Sequence, residues 1–267
     1  MSDLSKRMGE LALLGGALCL DFVNTAGWRG QPDSAGVLRD FEDLVAWTQH
    51  VGALSARQGR DLLKRAASEP TRAKAVHGQA VALREALYRV FSSLAAGRAA
   101  EPADLTTINV AVADAYQHLR LAPRPSSGLA PRPPSGLAPR PPSGLAPRPS
   151  SGLAPRPSSG LAPRPPSGLA PLGDGFAWDW HEADGALELP IWIVARSAST
   201  LLVSQGLRRV RECAGEKCDW LFLDASRNRS RRWCDMAACG NRAKAQRNYA
   251  RRRGSTDAER TGKGRKA

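Results

Sequence analysis

Four of the five cysteines lie near the C-terminus in two short-spaced pairs, Cys213 with Cys218 and Cys234 with Cys239. Four residues separate the members of each pair, and fifteen residues separate the two pairs. Cysteine pairs at this spacing, divided by a short apolar run, are typical of a tetrahedral Zn²⁺ site. The sequence therefore predicts one structural zinc ion on four thiolates, which leave no coordination position open for catalysis. Disulfides are the alternative, but nothing in the sequence indicates export to an oxidising compartment.

The elements around the cysteines must bring them to a common ion. Residues 220–223, Trp-Leu-Phe-Leu, predict a short strand after the first pair, and Cys239 opens a helix that continues to Gly254. This segment has too few apolar residues to fold by burial alone, and a structural zinc ion contributes roughly 10–16 kcal/mol to such a module. We therefore predict a treble-clef-like zinc finger over residues 207–254, with a knuckle, a short strand and a basic helix.

The finger and the tail after it carry most of the positive charge. Residues 206–267 have 18 basic and seven acidic side chains, whereas residues 1–120 have 14 basic and 13 acidic ones. A basic segment on a near-neutral body is the pattern of a polyanion-binding protein. The candidate nucleic-acid contacts lie in the turn before the second cysteine pair and in the helix after it: Arg227, Arg229, Arg231, Arg232, Arg242, Lys244, Arg247 and Arg251.

We expect some of these residues to contact phosphates and others to contact bases. Lysine meets phosphate as a point charge, whereas arginine can also bind guanine O6 and N7 through two hydrogen bonds. We expect Arg242 or Arg247 to read bases and the turn over residues 227–232 to contact phosphate. Asn241 could read adenine, or it could cap the helix or bond a zinc thiolate. Some of the arginines could instead neutralise the negative charge of a Zn(Cys)4 centre.

Two stretches resemble known domains that occur together. The run LFLDASRNRSRRWCDMAACGNRAKAQRNYARRR is similar to the CGNR zinc finger, which is named for the tetrad at residues 239–242. Upstream, the run GGALCLDFVNT, from Gly15 to Thr25, resembles the signature of the ABATE domain. That domain is a helical module that usually precedes this finger in stress-induced bacterial transcription regulators. The resemblance implies a DNA-binding regulator with an N-terminal helical domain.

The N-terminal region has the 3.6-residue apolar period of helices. Ser55 begins a capping box, and Pro70 and Pro102 open two longer helices that end near Gly97 and Leu119. An earlier helix has one apolar face, at Leu38, Phe41, Leu44, Val45 and Thr48. We therefore predict a mainly α protein, with a helical domain before the finger.

Two polar residues in the N-terminal signature are candidate site residues. Asp21 and Asn24 are three positions apart and share a face if residues 18–25 are helical. They could form a small-molecule or partner site, or they could cap or bridge neighbouring helices, as most buried polar groups do. Cys19 is expected to be a buried small residue and not a sensor thiol.

Residues 121–171 consist of six tandem octapeptides, Leu-Ala-Pro-Arg-Pro-(Ser/Pro)-Ser-Gly, and a partial seventh. Proline and glycine disfavour both helix and sheet, and one leucine per copy cannot build a core. We expect a disordered insertion that interrupts the helical domain, which would comprise residues 1–120 and 172–206. The charged tail, residues 255–267, is also expected to be disordered.

The stretch between the insertion and the first cysteine predicts a hairpin and two helices. Residues 176–180 alternate as a strand, residues 184–185 (Asp-Gly) are a turn signal, and residues 187–189 predict the return strand. Pro190 then opens a helix, and a further helical segment over residues 207–212 leads into the finger.

Catalysis finds little support in the sequence, because the four histidines lie more than twenty-five residues apart and match no zinc-protease or triad spacing. The apolar run over residues 11–20 is too short to span a bilayer and lacks a signal-peptide cleavage site. We therefore expect a cytoplasmic protein without enzymatic activity, associated with the nucleoid if it binds duplex DNA. Its helical domain would sense a small-molecule signal or form a homodimer. The alternative is a zinc-stabilised module that binds RNA or an acidic protein.

Overall fold

The structure is mainly helical, as predicted, and its described residues form two small two-stranded sheets. The computed structural model describes residues 11–26, 29, 36–123, 176–180, 185–216 and 218–249. Within these residues, the helices of the body are α1 Leu18–Val23, α2 Phe41–His50, α3 Ala56–Ser68, α4 Pro70–Ala95, α5 Pro102–Gln117 and α6 Leu189–Leu202. The strands are β1 Leu119–Pro123, β2 Phe176–Trp180, β3 Val210–Glu212 and β4 Leu221–Leu223.

Local sequence signals set the helix ends. The side chain of Asp40 accepts the N–H of Asp43 and so caps α2. Ser55 and Gln58 form the predicted capping box of α3, in which each side chain satisfies a backbone N–H of the other residue. Helices α4, α5 and α6 each have a proline in their first turn, where its missing N–H costs no hydrogen bond. The predicted starts at Ser55, Pro70 and Pro102 are therefore confirmed.

Helices α4 and α6 form the centre of the body. Helix α6 packs against α5, α1 and α4, and α4 also contacts α5 and α1. Trp192 joins α6 to α5, because its indole N–H donates to Asp114 at 2.5 Å and its ring stacks on His118 with 3.9 Å between centroids. Phe22 of α1 meets Trp47 of α2 with 5.1 Å between the ring centroids. A continuous apolar core thus holds α1 in place.

The first sheet differs from the predicted hairpin. Strand β2 covers the predicted residues 176–180, but its partner is β1, whose residues 121–123 begin the insertion that was predicted to be disordered. The prediction of disorder is wrong for these three residues, because pairing with β2 orders them. Arg120 and Asp179 form an ion pair of 3.0 Å between these two strands. The predicted return strand over 187–189 is wrong, since residues 187 and 188 lie in a turn and Leu189 begins α6. An alternation of three residues does not distinguish a strand from the entry into a buried helix.

The chain enters the finger directly after α6. A 3-10 turn, Gln205–Arg209, leads into β3, so the predicted helical segment over residues 207–212 is wrong in its second half. Pairing with β4 decides the conformation of this short stretch. The two strands are antiparallel, in the register Val210 with Leu223, Arg211 with Phe222 and Glu212 with Leu221.

The finger ends in the predicted helix. A single wide turn, Met236–Gly240, runs into a helix over residues 241–249, which we call α7. The predicted end at Gly254, most of the insertion and the predicted tail lie outside the described residues. In the part of the chain that the structure describes, no helix combines the length and the apolar character needed to cross a membrane.

Candidate functional site

The first cysteine pair lies on a tight knuckle after β3. The N–H of Cys213 donates to the C=O of Trp220, and that of Cys218 to the C=O of Gly215, both at 2.9 Å. A Cβ on Gly215 would lie 3.1 Å from the Cβ of Cys218 and 3.4 Å from the sulfur of Cys239. Glycine at this position therefore lets the knuckle close around the point where the sulfurs meet.

The second pair is held by the wide turn before α7. The carboxylate of Asp235 accepts the N–H groups two and three residues ahead, at 2.5 and 3.2 Å. The N–H of Gly240 donates to the C=O of Asp235 at 3.1 Å and closes the turn. A Cβ on Gly240 would lie 2.4 Å from the sulfur of Met236. The glycine of the tetrad therefore makes room for the Met236 side chain beside Cys239.

The four thiols of the two pairs converge. Their sulfurs all lie within 4.8 Å of one another, with 3.6 Å between Cys218 and Cys234 and 3.7 Å between Cys234 and Cys239. Tetrahedral Zn²⁺ with Zn–S bonds of about 2.3 Å requires sulfurs about 3.8 Å apart, whereas a disulfide requires about 2.05 Å. These separations fit one zinc ion and do not fit a disulfide. The four cysteines form a site for one structural zinc ion, as their spacing predicts.

The electrostatics of the cluster also favour a cation. Hydrogen bonds from Cys218 and Cys234 lower the pKa of Cys213 to about 2. The same bond to Cys213 raises the pKa of Cys218 to about 12, and that of Cys234 is raised well above its usual range. One thiolate therefore suppresses the ionisation of its neighbours. These three thiols can ionise together only when a dication balances their charge.

A buried carboxylate organises the loop between β4 and the second cysteine pair. Asp224 is fully buried and accepts the hydroxyl and the N–H of Ser226 and the N–H of Arg231, at 2.5, 2.9 and 3.0 Å. Burial acts to raise the pKa of Asp224, but these hydrogen bonds outweigh it and hold the pKa below its usual value. The loop passes through Arg229 at a φ of 50°, a conformation that non-glycine residues adopt rarely. The backbone of the loop that carries these arginines is therefore held in a defined conformation.

The basic residues predicted to bind nucleic acid fall into two groups. The guanidinium of Arg231 donates to the C=O of Trp233 at 3.0 Å and to that of Cys234, and it lies 4.3 Å over the ring of Phe222. Arg231 thus stabilises the metal site through contacts within the finger. Within the described residues, the following exposed side chains have no ion-pair partner or hydrogen-bond acceptor: Arg227, Arg229, Arg232, Arg242 and Lys244.

Helix α7 presents its basic residues on two sides. Gln246 donates to the Glu216 carboxylate in the first knuckle at 2.5 Å, so its side of the helix faces the finger. Arg242, four residues earlier, lies on that same side. Lys244 and Arg247 are three positions apart and lie together on the other side, and both are exposed. The outer face of α7 is therefore formed by Lys244 and Arg247.

Asn241 and Arg251 are the remaining candidates for contact with nucleic acid. Asn241 has helical backbone angles, with φ of −68° and ψ of −39°, and an exposed side chain. It does not cap the turn that carries Cys239, because Asp235 does so. Arg251 lies outside the described residues.

The hairpin β3–β4 is docked on the body through the N-terminal signature. Leu221 is fully buried in the core of the body, whereas Phe222 is fully buried among the cysteines. The side-chain amide of Asn24 accepts the N–H of Leu221 at 2.9 Å and donates to its C=O at 2.8 Å. The N–H of Leu223 donates to the C=O of Gly15 at 2.8 Å. A side-chain amide and a loop carbonyl thus take the place of a third strand beside β4.

Asp21 positions Gly15, whose C=O accepts the N–H of Leu223 in β4. Its carboxylate accepts the N–H of Gly15 at 2.7 Å, and burial raises the pKa of Asp21 to about 6. A cavity of about 560 Å³ beside α1 is lined by Ala17 and Leu18 but not by Asp21 or Asn24. Asp21 and Asn24 therefore both bond backbone groups of neighbouring segments. Of the two roles expected for them, this is the structural role and not the ligand site.

Arg29 adds a charged link between the body and the finger. Its backbone N–H donates to the carboxylate of Asp219 at 2.8 Å. Its guanidinium donates to the C=O of Val23 at 2.7 Å, pairs with Glu85 at 2.9 Å and lies 3.8 Å over the ring of Tyr88. The hairpin is therefore continuous with the body through both apolar and polar contacts.

Two carboxylates that build the site, Asp224 and Asp235, are absent from the residues predicted from the sequence. Asp235 stands directly before a helical turn and could have been found as a capping residue. Asp224 follows a strand and precedes a serine by two positions, a pattern typical of an Asx turn.

Comparison with known proteins agrees with this geometry. Residues 16–154 match the ABATE family, described as "Putative stress-induced transcription regulator", and residues 209–252 match the CGNR zinc finger. No curated protein matches the chain. The ABATE match covers more than half of the 267 residues. The chain therefore belongs to the ABATE family, and it carries a CGNR zinc finger that follows the helical body.

Proposed function

We propose that this chain is a transcription regulator that binds duplex DNA through its zinc finger. The observation that carries the proposal is the set of exposed arginine and lysine side chains on a scaffold held rigid by four cysteines and by Asp224. A rigid scaffold limits the side-chain and backbone entropy that is lost when such residues bind a polyanion. The match to a family of transcription regulators supports the same conclusion.

The basic residues of α7 and those of the loop before the second cysteine pair would make different contacts. Lys244 and Arg247 form the outer face of α7, which is the part of the finger with the dimensions needed to enter a major groove. Arg247 is the residue we expect to read a base, because a guanidinium can bind guanine with two hydrogen bonds. Arg227 and Arg232 lie on the loop before the second cysteine pair, where we expect contacts with phosphate.

Regulation would pass through α1. Ala17 and Leu18, at the start of this helix, line the cavity of about 560 Å³, and Asn24, at its end, holds β4. A small molecule in the cavity would therefore act on the same short helix that seats the finger. On this proposal the protein binds and does not catalyse, it works in the cytoplasm at the nucleoid, and a homodimer would present two fingers to a symmetric site.

The proposal is tested with the full, zinc-loaded chain. A labelled duplex DNA is bound in a fluorescence-anisotropy assay and then displaced with unlabelled duplex DNA or with a structured RNA hairpin of equal length. We expect the duplex to compete better, and we expect Lys244→Ala with Arg247→Ala to cost roughly 1–3 kcal/mol of binding free energy on a preferred sequence. The matched control is Arg60→Ala with Arg98→Ala, which removes the same charge from exposed positions on the body.

Two results would contradict the proposal. Stronger competition by the RNA hairpin would show that the finger recognises structured RNA and not duplex DNA. Unchanged duplex binding after Lys244→Ala with Arg247→Ala would remove α7 from the interface.

A further inference from the structure

A second basic site lies at the junction between the body and the finger. Arg208 and Arg209 on the 3-10 turn, together with Arg229 on the loop after β4, line a cavity of about 650 Å³. The other lining residues are Gln205 and Gly206, so neither a carboxylate nor an apolar side chain lines the cavity. Three like charges therefore share one concave surface.

The three guanidiniums of this cavity are left without partners in the part of the chain that the structure describes. Among the described residues, none of them has an ion-pair partner or a hydrogen-bond acceptor. Arginines on the body are commonly paired: Arg65 with Glu69 at 2.9 Å, Arg72 with Glu188 at 3.0 Å, and Arg89 with Asp104. Unpaired arginines that line one cavity repel one another, and an anion between them would remove that repulsion.

The backbone around the cavity is fixed. The C=O of Arg209 accepts the N–H of Asp224 at 2.8 Å, which ties the 3-10 turn to the loop. Asp224 in turn holds the loop that carries Arg229, whose φ of 50° is a conformation that non-glycine residues rarely adopt. Uncommon backbone conformations concentrate at functional sites, where the surrounding structure imposes them. The loop therefore fixes the backbone of Arg229 beside the cavity.

We infer that this cavity binds a phosphate group of the DNA backbone. The planar fork of arginine matches phosphate oxygens through two hydrogen bonds, and the absence of apolar lining gives a base or a lipid chain nothing to pack against. This inference rests on the proposed function, because it extends the DNA contact from α7 to the junction with the body. The contact carries no sequence information and sets the position and orientation of the finger on the duplex.

The test measures how duplex affinity depends on salt in the full, zinc-loaded chain. We expect Arg208→Ala with Arg209→Ala to lower the slope of log affinity against log salt by about two, with equal loss on all sequences. Arg208→Lys with Arg209→Lys keeps both positive charges and should restore most of the slope. The control Arg60→Ala with Arg98→Ala should leave the slope unchanged. Thermal melting and zinc content establish that each variant is folded.

An unchanged slope for Arg208→Ala with Arg209→Ala, in a chain that still binds duplex DNA, would overturn this inference and leave the proposed function standing. A chain that binds no duplex DNA would overturn both the proposed function and the DNA contact inferred here.

Titration with inorganic phosphate, followed by NMR of the arginine Nε–Hε groups, tests the cavity without DNA. We expect the signals of Arg208, Arg209 and Arg229 to shift at lower phosphate concentration than those of Arg60 and Arg98. Equal shifts for all five would overturn the phosphate site.

Discussion

The two halves of the zinc finger are stabilised in different ways. The hairpin β3–β4 is held by burial and by the body, since Val210 and Leu221 belong to the body's core and Asn24 bonds the backbone of β4. The second half, from the loop after β4 to α7, buries little apolar surface, and α7 is exposed along most of its length. Its order depends on the metal and on the carboxylates of Asp224 and Asp235. The hairpin β3–β4 is therefore an extension of the body, whereas the loop after β4 and α7 form a metal-dependent module.

Removing a zinc ligand gives the largest expected effect and tests this division. We expect Cys234→Ser to release the metal and to unfold the second half, because structural zinc contributes on the order of 10–16 kcal/mol to such modules. The hairpin should remain docked, so the amides of Leu221 and Leu223 should stay protected while those of α7 exchange rapidly. Metal analysis and hydrogen exchange measure both parts.

The control for this change is Cys19→Ala, which removes a buried thiol of the body and should retain one zinc ion per chain. Loss of protection at Leu221 in Cys234→Ser would show that the whole finger depends on the metal.

Replacing the amide that seats the hairpin tests the other half. Asn24→Ala leaves the buried N–H and C=O of Leu221 without partners, and each unsatisfied group costs about 1–3 kcal/mol. We expect a loss of about 2–6 kcal/mol in the free energy of unfolding and faster exchange of the β4 amides, with zinc still bound. Chemical denaturation measures the first effect and hydrogen exchange the second.

The exposed loop residue Asn228 supplies the comparison, because Asn228→Ala should change stability by less than about 0.5 kcal/mol. Equal stability of the two variants would mean that burial alone docks the hairpin.

A smaller effect on stability is expected from Asp21, whose carboxylate accepts the N–H of Gly15 beside the hairpin. Burial raises the pKa of Asp21 to about 6, above its value in the unfolded chain, so the folded state disfavours the charged form. Stability from this group is fully present below about pH 4 and is lost as the pH rises to about 6. Asp21→Asn keeps an oxygen that can accept the N–H of Gly15 and removes the ionisation. We expect it to be more stable than the wild type by about 1–3 kcal/mol above pH 7 and equal to it near pH 4.

Denaturation curves at several pH values measure this difference. Asp61→Asn, on the exposed face of α3, is the control and should show no such trend. A constant difference between Asp21→Asn and the wild type from pH 4 to pH 8 would contradict the assignment.

The sequence predicted what depends on local pattern and spacing. The spacing of the four cysteines identified the metal site, and capping residues and prolines placed the starts of α3, α4 and α5. It failed where partners lie far apart along the chain. The partner of β2 lies before most of the insertion, and the backbone partner of Asn24 is 197 residues away. No local period contains such pairings, and a three-residue strand such as β3 has no period of its own.

The amide of Asn24 also has a consequence for solubility. A two-stranded hairpin has outer edges whose unpaired N–H and C=O groups can recruit strands from other molecules. In β4, the outward groups of Leu221 are bonded by Asn24, and the N–H of Leu223 by the C=O of Gly15. Intermolecular strand addition, the first step of many aggregation processes, is thereby blocked along this edge as long as the hairpin stays seated on the body.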